Sequence, residues 1–415
     1  MFAARLLGPA GRGELAAIQT WGAFLSIVAM LGMGEALVYF AAREPARAGS
    51  YTSSAVILAL LGCFPFLAFG YLAMPVLLSA QSSAVVTEAR IYLLLGFASA
   101  IGQVPLNALR GLGDFVVWNG LRILGAACVM VPFIVAWGVH RTTAEFIANL
   151  NLIIYGAVFG GVVLLTLSLR VPGSYRPDPR LWKPMMAFGL PSMVTVVPYN
   201  LNLRLDQMLM AVVFAPTLLG LYVVAVAWAA IMTPLFQAIG IVVFPHIASQ
   251  AVRDRQVSAL TGILRLGVPL AVIVAAGLAV LTPWGLPVVF GVGFKAAEAP
   301  AVVLVFGGAI LAINQMFEEG LRGLGAPKAV MWSELCGLIV TLVSLGLLLK
   351  PMGIMGAAIA SLLGYGTVAI QLLYRTRQLT GCALPALLLP RCSEVIEVFE
   401  QTRLWLRGLR GAPAE

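Results

Sequence analysis

Apolar runs of about 20 residues recur from one end of this chain to the other, and each is long enough to cross a hydrocarbon core of about 30 Å. Few other features constrain a fold so tightly. In lipid every backbone polar group needs an internal partner, so a chain that crosses repeatedly must do so as helices or as a closed barrel. Runs this long select helices. Eleven complete spans are predicted, at 17–41, 53–79, 90–110, 116–139, 143–169, 187–213, 217–244, 258–282, 297–321, 329–349 and 353–374. Only 10% of the 415 residues are charged and 61% are hydrophobic, against about 25% charged in a soluble domain. The connections are short, as in Ala42-Arg43-Glu44-Pro45 and Val171-Pro172-Gly173-Ser174, and leave no room for a soluble domain.

The net charge of +9 does not read as a nucleic-acid surface, because the basic residues lie between apolar runs, as topology signals do. Nineteen of the 26 Lys and Arg fall in or against the loops after odd-numbered spans and in the C-terminal tail. Six lie on the other side, and Arg204 lies inside a span. That asymmetry predicts a cytoplasmic C-terminus in a multi-pass protein of the bacterial inner membrane. The five cysteines and two histidines show no metal-ligand spacing, so neither a metal nor a cofactor is expected. Beyond the last span, 381–415 is expected to form an amphipathic cytoplasmic tail lying on the membrane surface.

An internal repeat organises the spans. Arg110-Gly111-Leu112-Gly113 recurs as Arg322-Gly323-Leu324-Gly325, and Leu6-Leu7-Gly8 aligns with Leu218-Leu219-Gly220 at the same offset of 212 residues. A shared register predicts a duplicated bundle. The expected lobes are 1–172 and 173–380. A full span, 187–213, precedes Leu218, whereas only Met1 to Arg5 precede Leu6. The expectation is a six-plus-six architecture with eleven visible helices and the first one missing from the chain as written.

The stretch Arg5-Leu6-Leu7-Gly8-Pro9-Ala10-Gly11-Arg12-Gly13-Glu14-Leu15 resembles the loop after the first helix of Wzx-type polysaccharide flippases, within the multidrug/oligosaccharidyl-lipid/polysaccharide (MOP) exporter superfamily. Phe188-Gly189-Leu190-Pro191 with Leu203-Arg204-Leu205-Asp206-Gln207 is similar to that family's seventh helix. Gly220-Leu221-Tyr222 with Phe244-Pro245-His246 resembles its eighth. The resemblance covers most of 5–378. It implies an all-α, MATE-like fold of two six-helix lobes, and a transporter rather than an enzyme. It also implies a substrate, an undecaprenyl-diphosphate-linked oligosaccharide (an O-antigen-type repeat unit) carried from the cytoplasmic to the periplasmic leaflet by alternating access. Glycosyltransferases or a glycan polymerase would be its partners, with membrane lipids around it and no nucleic acid.

Charges inside spans are costly and therefore mark function or structural pairing. Arg204 is about 15 Å from the end of its span near Phe214, at 1.5 Å per residue. Asn200, Arg204 and Gln207 share a helical stripe whose donors suit a diphosphate or sugar hydroxyls. Asp206 falls on another face and is read as a partner for a neighbouring helix or as a cation-coupling site. Arg122, a turn or two inside its span, is read as attracting the diphosphate or as snorkelling. Glu35 is read as ion-coupling, or as part of an interfacial network with Arg43 and Arg47. Glu318 and Glu319 are expected to pair with Arg322, and Glu334 to lie near Lys328. Two other functions fit parts of the pattern. One is a cation-coupled multidrug exporter of the same superfamily, which would typically use carboxylates of the N-terminal lobe, although that lobe offers only Glu35. The other is a membrane scaffold or glycosyltransferase-type enzyme of glycan assembly, although the loops are too short to hold catalytic acids.

Overall fold

A computed structural model describes residues 1–236, Ile247 and 252–389. Residues 390–415 of the predicted amphipathic tail lie outside the described residues, as does Phe244-Pro245-His246. Among the described residues every regular element is helical. The order is α1 (Phe2–Ala29), α2 (Met33–Arg43), α3 (Ala48–Leu77), α4 (Ser83–Tyr92), α5 (Leu95–Gly111), α6 (Phe115–Gly138), α7 (Ala144–Ile153) and α8 (Gly160–Arg170). Then follow α9 (Trp182–Asn202), α10 (Leu205–Val213), α11 (Pro216–Ala229), α12 (Arg253–Phe290), α13 (Glu298–Gly323), α14 (Pro327–Thr380) and the short α15 (Leu384–Leu388).

Nine segments among the described residues are helical, long and apolar enough to cross a membrane. The difference from eleven has two sources. The predicted spans 329–349 and 353–374 are counted once within α14, although Gly353 (φ +58) is non-helical and divides that segment into two helices where the prediction does. The predicted span 187–213 is divided into α9 and α10. The first predicted span is also broken. Leu31 (φ +53) and Gly32 (φ +69) turn the chain between α1 and α2, and a side chain at Gly32 would collide with the Gly189 carbonyl at 2.1 Å. Glycine alone tolerates both that backbone and that approach.

The chain forms two compact units. The first comprises Met1–Val224, Trp284–Glu298 and Leu345–Ala357. Its core is built where small residues let helices close on aromatic ones. Phe159, 2% exposed, lies 3.1 Å from the positions that a Cβ would occupy at Gly102 of α5 and Gly125 of α6. Gly156 and Gly160 meet Ala98 and Ile101 of α5, so the Gly-x-x-x-Gly pair packs helices within one unit. Between α7 and α8 the backbone widens into a π-helix, Ile154–Phe159.

Side chains also tie chain segments of this unit together at helix ends. Gln81 Nε2 donates to the carbonyls of Ala211 (3.0 Å) and Phe214 (2.9 Å), and Ser79 Oγ to that of Val212 (3.1 Å). Arg5 donates to the carbonyls of Val288 and Val289 at the end of α12. These carbonyls have no partner within their own helix, so a side-chain donor satisfies them. The second unit comprises Ala225–Pro283, Ala299–Ser344 and Ala358–Glu415. There Gly267 and Gly320 bring α12 and α13 together over Met316 and Leu260, and Trp228 Nε1 donates to Thr282 at 2.8 Å.

The two Arg-Gly-Leu-Gly turns have the same backbone. Gly113 and Gly325 both take φ +79. In each, the amide after the glycine bonds back five residues, Asp114 N to Leu109 O at 3.0 Å and Ala326 N to Leu321 O at 2.8 Å. That bond closes the helix end with a glycine in the left-handed region, as a helix stop requires. The second matched pair differs: Gly8 is non-helical (φ +66) and breaks α1, whereas Gly220 lies inside α11.

Candidate functional site

The polar residues predicted to act inside the membrane are concentrated around the junction of α9 and α10. Pro198 cannot donate a helical hydrogen bond, and the chain after it tightens. Leu203 N still reaches Tyr199 O (3.1 Å), but Arg204 N bonds to Leu201 O (3.1 Å), three residues back. Arg204 then leaves the helical region, with φ −131 and ψ −8, and α10 begins at Leu205. This corrects the stripe expected from sequence. Asn200, Arg204 and Gln207 do not lie on one continuous helix, because the break falls between them. Asn200 Nδ2 is turned back to Val196 O at 2.9 Å. All three side chains are half-buried.

Arg204 makes no ion pair among the described residues. Asp206, two positions on, is 2% exposed. Its carboxylate accepts a 2.5 Å hydrogen bond from Tyr222 Oη of α11 and a 2.7 Å bond from Gln207 N. As Asp206 sits in the first turn of α10, the helix dipole also favours its charge. The sequence reading of Asp206 as partner to a neighbouring helix is therefore met by Tyr222, sixteen residues away. Only tertiary packing reveals that pair.

Glu35 is exposed in the first turn of α2 and does not join Arg43 and Arg47, as expected from sequence. It lies 3.7 Å from Arg110. Arg43 instead donates to the Tyr39 hydroxyl, and Arg47 pairs with Glu44 (3.2 Å) and Asp178 (3.3 Å). Glu35 lies in the first turn of α2 and Arg43 in its last, about two turns apart, and α2 packs along α5, which carries Arg110. Arg122 is exposed on α6 with its guanidinium 4.6 Å from the centre of the Trp118 ring, a spacing of one helical turn that the sequence carries but that was not singled out. Arg322 pairs with Glu318 (3.1 Å) and Glu319 (2.5 Å) as predicted. Glu334 is 6% exposed and interacts with the buried Glu318.

A second polar group lies inside the first unit. Gln19 Nε2 donates to Tyr92 Oη (3.3 Å), which donates onward to Asn151 Oδ1 (3.2 Å). Gln103 Nε2 donates to Tyr155 Oη at 2.5 Å. These residues were not selected from sequence, because neutral polar side chains in an apolar run carry no distinctive spacing.

Comparison with known proteins places this geometry in a family. The family model described as "Polysaccharide biosynthesis protein" matches residues 1–251. No curated protein matches the chain. Among solved structures, an inward-facing multidrug resistance MATE transporter of the MOP superfamily superposes with a TM-score of 0.76 at 16% identity, over 92% of this chain and 95% of that one. The lipid II flippase MurJ, in an inward closed conformation, gives a TM-score of 0.61 at 12% identity, over 99% of this chain and 92% of that one. A eukaryotic MATE transporter gives 0.59 at 12% identity, over 91% and 98%. The chain belongs to the polysaccharide biosynthesis protein family and has a MATE-like fold.

Proposed function

We propose that this protein is a lipid-linked oligosaccharide flippase, moving an undecaprenyl-diphosphate-linked glycan unit from the cytoplasmic to the periplasmic leaflet by alternating access. The observation that carries the reading is Arg204, a half-buried guanidinium at a helix break within the span predicted from sequence at 187–213, with no ion pair among the described residues. A charge within a span is costly without an anionic partner, and a diphosphate offers oxygens that suit a guanidinium's paired donors. Membership of a polysaccharide biosynthesis family and the likeness of fold to a lipid II flippase support the same substrate class. Asn200 and Gln207, on either side of the break, are proposed to meet sugar hydroxyls, and Asp206 to take a coupling cation. Glu35 is proposed as a lesser coupling site. Enzymes that assemble the glycan on the cytoplasmic face, or polymerise it beyond, are the partners this reading implies.

The test is complementation of a bacterial strain lacking its own lipid-linked glycan flippase, read as glycan delivered to the cell surface. Arg204→Ala should reduce delivery by tenfold or more at unchanged protein level in the membrane, and Arg204→Lys should restore part of it. Wild-type delivery by Arg204→Ala would overturn the role assigned to that residue. Drug resistance conferred without any glycan delivery would overturn the flippase reading in favour of a drug exporter.

A further inference from the structure

Two guanidinium groups converge on one indole ring at the junction of α5 and α6. Trp118 and Arg122 are one turn apart on α6, with Arg122 Cζ 4.6 Å from the ring centre. Arg110, at the end of α5, brings a second guanidinium to 5.9 Å from the same centre. Glu35 pairs loosely with Arg110 at 3.7 Å, where both side chains are about half exposed. The nearby Arg170 is matched by Asp114 at 3.8 Å. Arg122 has no ion pair among the described residues, so the group around Trp118 carries a net charge of about +1 (two guanidiniums against one carboxylate).

The surroundings are those of a lipid-facing helix. Val116 is 85% exposed and Ile123 is 72% exposed, while Leu121, Gly125 and Cys128 form the buried side of α6. Arg122 is thus exposed on this apolar helix, about two turns from its start at Phe115. An exposed arginine at that depth extends toward headgroup phosphate, and tryptophan is enriched at the same level of the bilayer.

We propose that Arg110, Trp118 and Arg122 form a binding site for the phosphodiester of one anionic glycerophospholipid, in the leaflet that faces the basic loops. The two guanidiniums grip the phosphate oxygens, and the indole, held under Arg122, fixes their spacing. A net charge of +1 matches a monoanionic phosphodiester, whereas a polyprenyl diphosphate carries more charge than this group balances. The site is independent of the flippase reading and of Arg204.

The experiment uses the full chain in nanodiscs of phosphatidylcholine with rising fractions of phosphatidylglycerol, and counts retained phosphatidylglycerol by native mass spectrometry. The wild-type protein should retain one phosphatidylglycerol more tightly than the rest. Arg122→Gln should weaken that retention about tenfold, and Trp118→Leu by a smaller factor, while Arg375→Gln, far along the sequence on an exposed helix end, should leave it unchanged. Arg122→Lys preserves the charge and should recover part of the affinity, which separates loss of a site from loss of folding. Equal retention by the wild type and Arg122→Gln would overturn the proposal, as would failure of Arg122→Lys to recover any. Displacement of phosphatidylglycerol by an equimolar polyprenyl diphosphate would overturn the assignment of the lipid.

Discussion

The turns at Arg110–Gly113 and Arg322–Gly325 share a sequence, a backbone and a glycine at φ +79, yet they are held by different forces. The first is anchored through backbone packing. A side chain at Gly111 would press on the Val38 carbonyl at 2.7 Å, so α5 ends tight against α2, and its arginine is left with one long, solvent-exposed ion pair to Glu35. The second is anchored through charge. Arg322 holds two carboxylates of its own helix, one of them buried, and Arg253 Nη1 caps the Leu324 carbonyl at 3.0 Å. A repeated motif therefore fixes chain geometry and leaves the electrostatics to be set by each turn's neighbours.

The sharpest way to break this comparison is to remove both arginines in turn. Arg322→Ala strands Glu318, 3% exposed, beside Glu334, and an uncompensated buried carboxylate costs about 3 kcal/mol. Arg110→Ala loses an exposed pair worth about 0.5 kcal/mol. Thermal unfolding of the purified protein in detergent should show a large drop for the first and almost none for the second. Equal drops would mean that the second turn is not held by charge. Next in size, Gly113→Ala and Gly325→Ala should each cost about 1–2 kcal/mol, since the added methyl meets no atom within 4 Å and only the left-handed backbone resists it. Matched losses sharpen the claim of a shared turn, and an effect confined to one glycine would break it. Arg253→Met should cost about 1 kcal/mol through the lost cap on Leu324, with no counterpart in the first turn, again by thermal unfolding. The smallest effect expected is that of Glu35→Gln, about 0.5 kcal/mol or less and vanishing when the melt is repeated in high salt. A salt-independent loss there would show that the Glu35–Arg110 contact is not simply an exposed ion pair.

Span positions were legible because apolarity over about 20 residues survives averaging. What averaging conceals is direction. Gly32 and Arg204 each redirect the chain without altering how apolar it is, so a continuous window contains two helices or a bend. The candidate site inherited that blind spot. Arg204 is the one cation deep in a predicted span, but its stripe with Asn200 and Gln207 assumes an unbroken helix through Arg204 itself. The bond from Tyr222 to Asp206 and the meeting of Glu334 with Glu318 depend on which helices become neighbours, and spacing within one helix cannot show that. The pairing of Arg322 with Glu318 and Glu319 was readable, since residues three and four apart on one helix are always adjacent.

The π-helix at Ile154–Phe159 has a consequence for how its segment winds. Asn151, Tyr155, Phe159, Val163 and Leu167 are all buried, a spacing of four residues held through the whole row. In a uniform α-helix that row would slew about 40° per step and wrap round to the lipid side. The wider turn rotates the chain back by a comparable angle once, midway. It works like the leap day of a calendar, a single inserted correction that keeps a slightly wrong period aligned with the core.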